Sequence, residues 1–477
     1  MDLSRPLGAL FVAPECAPLT KTGGLGDVCG ALPPALRALG IDVRVLMPGY
    51  AEVLRAIEPR RLAVARLLGQ QVRLLEAQLP NGVPLLVVDC PKLYARRGGP
   101  YLSAEGADWP DNALRFGLLC KAAALLASDA SPLAWRPDVV HCNDWPAAPA
   151  AAFMRFDGAA AASLVTIHNL AFQGLFGEEW VERLGFPAHS FGIDGIEFHG
   201  RLSFLKAGLS YADAISTVSP TYAQEIQTPG FGCGLDGLLR HRANVLTGIL
   251  NGIDGAVWDP RTDTNLARTY DAETLEDKAH SKAALQRAMG LPVDAAVPLL
   301  GQVGRMTAQK GADLLVESAD ALAAMGQVAI LGTGDRALEQ AFAALARRHP
   351  GRIAVRVGFD EGLAHVVEAG ADIFLMPSRY EPCGLNQMYS QRYGTPPVVH
   401  ATGGLADTVE DGVSGFAFRD YSAGAFLGAV GRAVRCRADA RAWRAVQRAG
   451  MRRDFSWSAA ARRYADLYRS LAMRARA

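Results

Sequence analysis

The sequence predicts an α/β protein with two doubly wound domains. Short apolar strands alternate with helical patterns in both halves, which is typical of parallel sheets covered by helices on both faces. The chain has 477 residues, too many for one ordinary domain of about 100–200 residues. A stretch rich in Gly, Asn and Asp at 244–260 interrupts the alternation. We interpret it as the crossing from one domain to the other.

The predicted strands are short apolar runs bounded by turn-forming residues. In the first domain they are Leu7–Pro14, Asp42–Met47, Leu85–Asp89, Asp138–Cys142, Ser163–His168 and Ala214–Ser219, with a helical pattern at Asn112–Ala127. In the second domain they are Pro298–Val303, Gln327–Leu331, Ile353–Val357, Ala371–Met376 and Pro397–His400. We place the boundary between residues 245 and 246. A last helical pattern follows Asp454–Ser458, and the pattern does not identify its packing partner.

The composition excludes several classes of protein. Lys and Arg number 49 against 48 Asp and Glu, so the chain lacks the broad positive charge of a nucleic-acid-binding protein. The eight cysteines are scattered singly, which argues against a zinc site or a disulfide framework. The first apolar run is too short for a signal peptide, and no segment approaches the roughly 18 apolar residues of a membrane span. We expect a soluble, cytoplasmic protein without nucleic-acid or membrane partners.

The segment Ser378–Gln387 is the strongest candidate for a site. Within it Glu381 follows the predicted strand Ala371–Met376 and precedes a helix predicted from Gly384 to Tyr393. Open α/β sheets bind ligands at the carboxyl ends of their strands, and a carboxylate there can stabilise a cationic sugar centre. The alternative is that Glu381 caps the helix.

Three further polar clusters follow strands of the first domain. The loop K-T-G-G-L-G-D-V, starting at Lys21, is a candidate phosphate site, because glycines expose backbone amides at a helix start. It is neither the dinucleotide fingerprint nor a Walker loop, and an ordinary strand-to-helix turn is the alternative. Asp144 lies in H-C-N-D-W, and His168 and Asn169 lie in T-I-H-N-L. The alternatives are a helix cap for Asp144 and a structural hydrogen bond for His168.

Two loops of the second domain predict an anion site. The segment Gly304–Gly311 offers Arg305, Lys310 and a helix N-terminus to one anion. The segment Ala401–Asp407 again has paired glycines before a helix. Each feature alone is more often a solvated charge or a turn. Together with Glu381 they are typical of a diphosphate site.

These motifs resemble those of bacterial glycogen synthases and plant starch synthases, which are retaining glucosyltransferases of the GT-B architecture. The resemblance covers essentially the whole chain through K-T-G-G-L-G-D-V, H-C-N-D-W, T-I-H-N-L-A-F-Q-G, F-L-K-A-G-L, N-G-I-D, L-E-D-K, G-R-M-T-A-Q-K-G, S-R-Y-E-P-C-G-L-N-Q and T-G-G-L-A-D-T-V. It implies two Rossmann-like domains facing across a deep cleft. In that arrangement residues 1–245 form the acceptor-side domain, 246–455 bind the nucleotide sugar, and the helix in 456–477 crosses back to the first domain.

The resemblance also implies the reaction. Glucose passes from ADP-glucose to the non-reducing end of an α-1,4-glucan, such as glycogen or a maltooligosaccharide, with retained anomeric configuration and without a metal or cofactor. The implied catalytic residues are Glu381, His168, Arg305, Lys310 and Asp144. The implied substrate-binding residues are Lys21, Gly23, Gly24, Asn169, Asn251, Phe359, Cys383, Gly384, Leu385, Thr402, Gly403, Gly404 and Leu405.

In the implied arrangement Arg305, Lys310, the amides of 402–405 and the loop at Lys21 meet the diphosphate. Glu381 and Cys383 lie at the glucose, His168, Asn169 and Asn251 contact it, and Asp144 lies near the sugar and the acceptor. Phe359 stacks on adenine, at a position where relatives often have Tyr. A second departure is H-C-N-D-W-P, where H-x-H-D-W-H is common.

The chemistry agrees with this assignment. Breaking the bond to phosphate leaves negative charge on the diphosphate, which Arg305 and Lys310 meet, and positive charge on the ring, which Glu381 meets. Retention requires a covalent carboxylate intermediate or attack from the leaving-group face, and we favour the second because no second carboxylate stands out as the nucleophile. We expect the domains to close on the donor by hinging near 244–254 and 454–456.

Rival functions make different predictions. Many sucrose- or trehalose-forming GT-B transferases carry a second Glu eight residues after the first, where this chain has Tyr389. A phosphorylase requires pyridoxal phosphate on a lysine. A rival function from another class is that of a non-catalytic glucan- or nucleotide-binding protein. The intact Arg305, Lys310 and Glu381 argue against it.

Overall fold

The chain forms two units, each built around one large sheet. The computed structural model describes residues 6–476. Residues 1–5 and residue 477, which the predicted domains include, lie outside the described residues. The first unit consists of Met1–Val218, Ala223–Gly252 and Trp457–Ala477, and the second of Ser219–Tyr222 and Ile253–Ser456. We predicted the boundary at 245/246. Residues 246–252 instead group with the first unit, because a strand within them extends the first sheet.

The first unit contains a nine-stranded sheet. Its strands, together with three very short ones, are β1 (Gly8–Val12), β2 (Asp42–Pro48), β3 (Arg60–Leu67), β4 (Gln70–Gln78), β5 (Pro84–Asp89), β6 (Val139–Asn143), β7 (Ala162–Ile167), β8 (Leu175–Phe176), β9 (Glu197–Phe198), β10 (Arg201–Ser203), β11 (Ala214–Thr217) and β12 (Leu246–Gly248). The sheet order is β12-β11-β7-β6-β1-β2-β5-β4-β3. Only β4 runs antiparallel to its neighbours β3 and β5, and β8, β10 and β9 form a separate antiparallel sheet.

Helices of the first unit connect these strands. They are α1 (Gly24–Arg37), α2 (Ala51–Ala56), α3 (Pro91–Tyr94), α4 (Asn112–Ala127), α5 (Asp144–Ala147), α6 (Pro149–Asp157), α7 (Glu179–Arg183), α8 (Phe204–Tyr211), α9 (Pro220–Glu225) and α10 (Asp236–His241). The helix α9 is divided between the two units. The predicted helix at Asn112–Ala127 is confirmed as α4, and its apolar residues are buried on nearly all sides.

The second unit contains an all-parallel sheet of six strands. They are β13 (Leu299–Val303), β14 (Gln327–Gly332), β15 (Ile353–Val357), β16 (Ile373–Met376), β17 (Pro397–His400) and β18 (Phe416–Phe418), in the order β15-β14-β13-β16-β17-β18. The helices are α11 (Lys278–Ala288), α12 (Ala312–Glu317), α13 (Ala319–Met325), α14 (Arg336–Arg348), α15 (Glu361–Gly370), α16 (Asn386–Arg392), α17 (Gly403–Thr408), α18 (Ala423–Ala438) and α19 (Ala440–Met451).

Two apolar layers sandwich this second sheet. One includes side chains of α12, α13, α14, α18 and α19, and the other includes side chains of α11, α15 and α17. Apolar residues of the strands contribute to both layers, since successive side chains point to opposite faces. The predicted doubly wound arrangement is therefore confirmed for this unit.

The last helix, α20 (Trp457–Arg476), belongs to the first unit. Tyr464 and Tyr468 of this helix are almost completely buried. The hydroxyl of Tyr468 lies 2.6 Å from Nδ1 of His141 on β6, so α20 completes the hydrogen bonding of a buried strand residue. The predicted return of the C-terminal helix to the first domain agrees with this packing.

Strand order places a topological switch point in each sheet. In the first sheet β1 and β6 are neighbours, and the chain continues from them toward opposite edges. In the second sheet β13 and β16 have the same relation. Ligands of open α/β sheets bind where the loops after two such strands separate. The loops after these four strands are therefore where a site is expected.

Candidate functional site

The switch point of the second unit brings a buried carboxylate and a lysine together. Glu381, in the loop after β16, is only 5% exposed. Nζ of Lys310, in the loop after β13, donates to Oε2 of Glu381 at 2.6 Å. The hydroxyl of Ser378 donates to the same oxygen at 3.0 Å. The two charges form one ion pair that spans the switch point.

The structure decides between the two interpretations of Glu381. The following helix α16 begins at Asn386, two residues after the predicted start at Gly384, and its cap residue is Leu385. The Glu381 side chain bonds to Lys310 and Ser378, so the helix-cap alternative is wrong. Gly384 has φ +71, a left-handed conformation that favours glycine and turns the chain into α16.

Cys383 and Asn386 complete this part of the loop. Cys383 is buried, and Nδ2 of Asn386 donates to the carbonyl of Val303 at the end of β13 at 2.9 Å. A cavity of about 60 Å³ lies between the ends of β13 and β16, and Lys310, Ser378 and Leu385 are among its lining residues. The loop that carries Glu381 is thus tied to the loop that carries Lys310.

Arg305 and Phe359 lie nearer the surface of the second unit. The Arg305 side chain is exposed, and Nη2 makes a long contact of 3.4 Å with Oε1 of Gln309. Phe359 follows β15 and is 84% exposed, which is unusual for a large apolar ring. Neither side chain is held in a fixed position by strong contacts. Both are accessible for a ligand.

The paired glycines after β17 pack directly on the Glu381 loop. A Cβ added at Gly403 would lie 2.0 Å from the carbonyl oxygen of Glu381, and one added at Gly404 would lie 2.1 Å from that of Cys383. The amide of Gly404 donates to the carbonyls of Glu381 and Pro382, both at 3.1 Å. Close backbone packing is what these glycines provide in the structure.

The prediction that the amides of this loop donate to an anion is limited by the hydrogen bonds that they already make. The amides of Thr402 and Leu405, like that of Gly404, already donate to backbone carbonyls, those of His400 and Thr402 respectively. A diphosphate oxygen would share these donors with the protein. The loop therefore acts first by holding the Glu381 segment in place.

In the first unit, Asp144 has the properties of a functional carboxylate. It follows β6, is 7% exposed, and has φ +60, a strained conformation for a residue other than glycine. Its Oδ1 is buried without a hydrogen-bond partner among the described residues. Burial raises the pKa of Asp144 to about 7, although the amides of His168, Trp145 and Asn169 favour the ionised form. The cap alternative is not supported, because α5 has no side-chain cap.

His168 is held as a neutral ring. Nδ2 of Asn143 donates to the carbonyls of Val12 and His141, which leaves its Oδ1 to accept from Nε2 of His168 at 3.2 Å. Burial lowers the pKa of His168 to about 3, so the ring is uncharged at neutral pH. Asp144 and His168 follow the neighbouring parallel strands β6 and β7, which confirms the prediction that both lie after strands of this domain.

Asn169 and Asn251 have different environments in the same unit. Oδ1 of Asn169 accepts from the amide of Ala171 at 3.1 Å, which shapes the turn after β7. Asn251 is 8% exposed, and its Oδ1 is buried without a partner among the described residues. An unsatisfied buried oxygen is costly, so Asn251 is a candidate for a ligand contact.

Glu15 is a site residue that the sequence analysis missed. It follows β1 and is 2% exposed. Its carboxylate accepts from the amide of Thr22 and from the hydroxyl of Tyr101, the latter at 2.9 Å. Burial raises the pKa of this carboxyl, while its hydrogen bonds to Thr22, Tyr101 and Gly23 oppose the shift. Like Asp144, Glu15 follows a central strand, and this position is the sequence signal that could have identified it.

This finding changes the interpretation of the glycine loop. Because Glu15 accepts from the amides of Thr22 and Gly23, these two amides are directed at a protein carboxylate, not left open to a phosphate. Lys21 forms an ion pair with Asp27 at 2.7 Å, and both side chains are substantially exposed. Gly23 precedes α1, which begins at Gly24. Lys21 is therefore the accessible charge of this loop.

Two further properties are those of residues 6–476 taken together. No helix there is long and apolar enough to span a membrane. That range also contains no group of three or more His, Cys, Asp or Glu side chains arranged to hold a metal ion.

Family comparisons cover nearly all of the chain. The family model described as "Starch synthase catalytic domain" matches residues 9–241, and "Glycosyl transferases group 1" matches residues 291–449. A glycogen synthase from Aromatoleum aromaticum is 56% identical, with 99% of this chain and 98% of that protein covered. One from Nitrosomonas eutropha is 53% identical, with 97% and 96% covered.

Solved structures agree with these matches. The catalytic domain of starch synthase IV from Arabidopsis thaliana, bound to ADP and acarbose, has a TM-score of 0.88 and 29% identity, with 98% of this chain and 100% of that chain covered. A sucrose-phosphate synthase from Thermosynechococcus elongatus, with a TM-score of 0.62, 20% identity and 98% and 99% coverage, shares the fold. The predicted GT-B fold of two Rossmann-like domains is confirmed, and the chain belongs to the glycogen synthase and starch synthase family of glycosyltransferases.

Proposed function

We propose that the chain transfers glucose from ADP-glucose to the non-reducing end of an α-1,4-glucan, with retention of configuration and release of ADP. Relatives at 50–56% identity over nearly their full length are glycogen synthases, and the Arabidopsis relative binds ADP and acarbose. The proposed acceptor is glycogen or a maltooligosaccharide.

The ion pair between Lys310 and Glu381 is the observation on which this mechanism depends. When the bond between glucose and ADP breaks, negative charge grows on the diphosphate and positive charge on the sugar ring. Lys310 and Glu381 are 2.6 Å apart, so a positive charge for the diphosphate and a negative charge for the sugar ring lie next to each other. Fixed groups of this kind stabilise a charge-separated transition state because they need no reorganisation during the reaction.

Other residues take supporting roles in the proposal. Arg305 approaches the diphosphate with Lys310, and the exposed ring of Phe359 stacks on adenine. Asp144, His168 and Asn251 contact glucose or the acceptor hydroxyl. The orphaned Oδ1 atoms of Asp144 and Asn251 support this role, since hydroxyl groups of a sugar would satisfy them.

We propose attack from the leaving-group face as the route to retention. The departing phosphate is a base next to the acceptor hydroxyl, and Glu381 is held by Lys310 and Ser378 in an ion pair. The proposed reaction uses no cofactor or metal, because Arg305 and Lys310 supply positive charge for the leaving group. Scattered single cysteines support a reducing cytoplasm as its location.

An assay of nucleotide release tests the proposed reaction. The full-length protein is incubated with ADP-glucose or UDP-glucose, with and without glycogen, and release of ADP or UDP is measured. We expect glycogen-dependent ADP release and growth of the glucan. A protein that binds glycogen but releases neither nucleotide would instead be a binding protein on this scaffold.

Substitution of the ion pair tests the mechanism. Lys310→Ala and Glu381→Gln should each lower kcat by at least about a hundredfold, since one preorganised charge contributes about 3–4 kcal/mol to transition-state stabilisation. Lys92→Ala and Glu361→Gln alter exposed side chains of the same types and should retain near-normal turnover. Near-normal turnover of either ion-pair variant would remove that residue from the mechanism.

A further inference from the structure

A second polar cavity lies in the first unit, beside the loops after β2 and β5. Its volume is about 200 Å³, and its lining includes Arg55, Arg96, Arg97 and Arg115 against one acidic residue, Glu52. Sites for drug-sized ligands usually occupy about 300–1,000 Å³, so this cavity suits a compact group. None of the residues assigned above to glucose or ADP lines it.

Arg115 is the central observation. It is only 2% exposed, and no ion pair joins it to a carboxylate within residues 6–476. Nε donates to Leu93 O at 3.1 Å, and Nη1 donates to Pro100 O and Asn112 Oδ1 at 2.8 and 2.6 Å. These three bonds leave Nη2 without a protein acceptor in the described part of the chain. A buried cation normally has an anionic partner.

Tyr50 provides a second, independent observation. Tyr50 is one of the residues that line the same cavity, and its hydroxyl is buried without a hydrogen-bond partner among the described residues. The Arg115 guanidinium lies 5.9 Å from the centre of the Tyr50 ring. Burial raises the pKa of Tyr50 well above its usual value, so the hydroxyl remains protonated and able to donate.

Besides Arg115, three of the four charged side chains that line the cavity are positive, and the fourth is Glu52. Arg97 is exposed and has no ion pair among residues 6–476, while Arg96 pairs with Asp111 at 2.8 Å and lies 4.1 Å above the ring of Trp109. The acidic residue Glu52 is engaged by the hydroxyl of Thr20. All four lining cations are arginines, whose planar guanidinium groups match the oxygen geometry of phosphate.

We propose that this cavity binds a compact phosphate-bearing ligand, with Arg115, Arg97 and Tyr50 donating to the phosphate oxygens. A phosphate group supplies the anion that the buried guanidinium lacks and the acceptor that the Tyr50 hydroxyl lacks. A neutral glucan supplies no such charge. The residues that line this cavity all belong to the first unit.

Calorimetric titration of the full-length protein tests the site. Inorganic phosphate and glucose 1-phosphate are the probes, and glucose is the uncharged control. The titrations use the Arg305→Ala/Lys310→Ala background, so that phosphate binding at the proposed donor site is removed. We expect both phosphates to bind and glucose not to bind. A stronger signal for glucose 1-phosphate would identify a sugar phosphate as the ligand, and equal signals would identify the phosphate group alone as the determinant.

Variants of the cavity give the decisive comparison. Arg97→Ala changes an exposed residue and Tyr50→Phe removes only a hydroxyl, so both should fold. We expect each to weaken phosphate binding at least fivefold. Arg61→Ala, which removes an exposed arginine outside the cavity, should leave binding unchanged. The proposal is overturned if no phosphate binds in the background variant, or if Arg97→Ala and Tyr50→Phe both leave the affinity unchanged.

Discussion

At the scale of single residues, Asp144 shows how burial prepares a group for function. Its carboxyl has a pKa of about 7, an unsatisfied oxygen and a strained backbone. Such strain persists only where the surrounding structure imposes it, and it is concentrated at functional sites. The carboxyl therefore changes its charge within the physiological pH range.

The pH dependence of the reaction tests the role of Asp144. We expect kcat/KM to rise with pH, with a midpoint near 7, because the ionised carboxylate accepts hydrogen bonds from sugar hydroxyls and stabilises positive charge. Asp144→Asn should have a lower rate without this inflection. A rate profile of Asp144→Asn that keeps the same midpoint would assign the titration to another group.

His168 predicts a stability effect with a definite sign. Its pKa is about 3 in the folded chain and about 6.5 when unfolded, so the unfolded chain binds the extra proton. The stabilisation from the neutral ring is complete above pH 6.5 and is lost as pH falls toward 3. His168→Gln keeps a donor for Asn143 but cannot titrate.

Denaturant unfolding measures this effect. Between pH 7.5 and 4, the original chain should lose about 3 kcal/mol relative to His168→Gln. The comparison of the two proteins cancels the opposite contribution of Asp144, whose raised pKa lowers stability as pH rises from about 4 to 7. A difference that does not change with pH would show that His168 has the same pKa in the folded chain as in the unfolded chain.

The sequence identified candidate site residues but not the contacts that they make. It predicted Lys310 and Glu381 as opposite charges of one site, yet their ion pair joins residues 71 positions apart and depends on strand order. It missed Glu15, although this residue follows a predicted strand just as Asp144 does. Burial of the Glu15 carboxylate beneath the glycine loop depends on tertiary packing, which no local pattern contains.

At the scale of secondary structure, the sequence predicted buried parallel strands well, because continuous apolar runs distinguish them. It missed β3 and β4, whose Arg- and Gln-rich sequences alternate with apolar residues as an antiparallel pair does. Leu68 and Gly69 between them have positive φ, so a Gly at a two-residue turn was the available signal. The strands β8 to β10 have two or three residues each, too few for periodicity.

The loop before α17 predicts a localised effect on activity. Gly404→Ala would place a Cβ 2.1 Å from a backbone oxygen of Cys383, so the segment that carries Glu381 must shift. We expect at least a hundredfold loss of turnover with the far-UV circular dichroism unchanged, because misplacement by about 1 Å is that costly. Gly428→Ala, on the exposed side of α18, meets no atom within 4 Å and should retain activity. Activity of Gly404→Ala within threefold of normal would contradict this role.

At the scale of the whole molecule, the first unit combines segments from both ends of the chain. The first unit is completed only by α20, which follows the entire sheet of the second. Apolar periodicity predicted this helix, but the pattern could not identify its partner. The buried hydrogen bonds between Tyr468 and His141, and between His141 and Thr166 on β7, show how α20 joins the first sheet.

Removal of α20 should therefore destabilise the two units unequally. Trp457, Tyr464, Tyr468 and Leu471 are each at most 8% exposed, and burial of one such side chain contributes about 1.5–3 kcal/mol. Their sum of about 6–12 kcal/mol is comparable with the whole stability of a typical domain, about 5–15 kcal/mol. In a chain that ends at Ser456, we expect β6 and β7 to lose hydrogen-exchange protection while β13, β14 and β16 retain it.

A chain that lacks only residues 473–477, where Met473 is 55% exposed, is the matched control and should keep both sheets protected. Equal loss of protection in both sheets of the longer truncation would show that the second unit also requires α20.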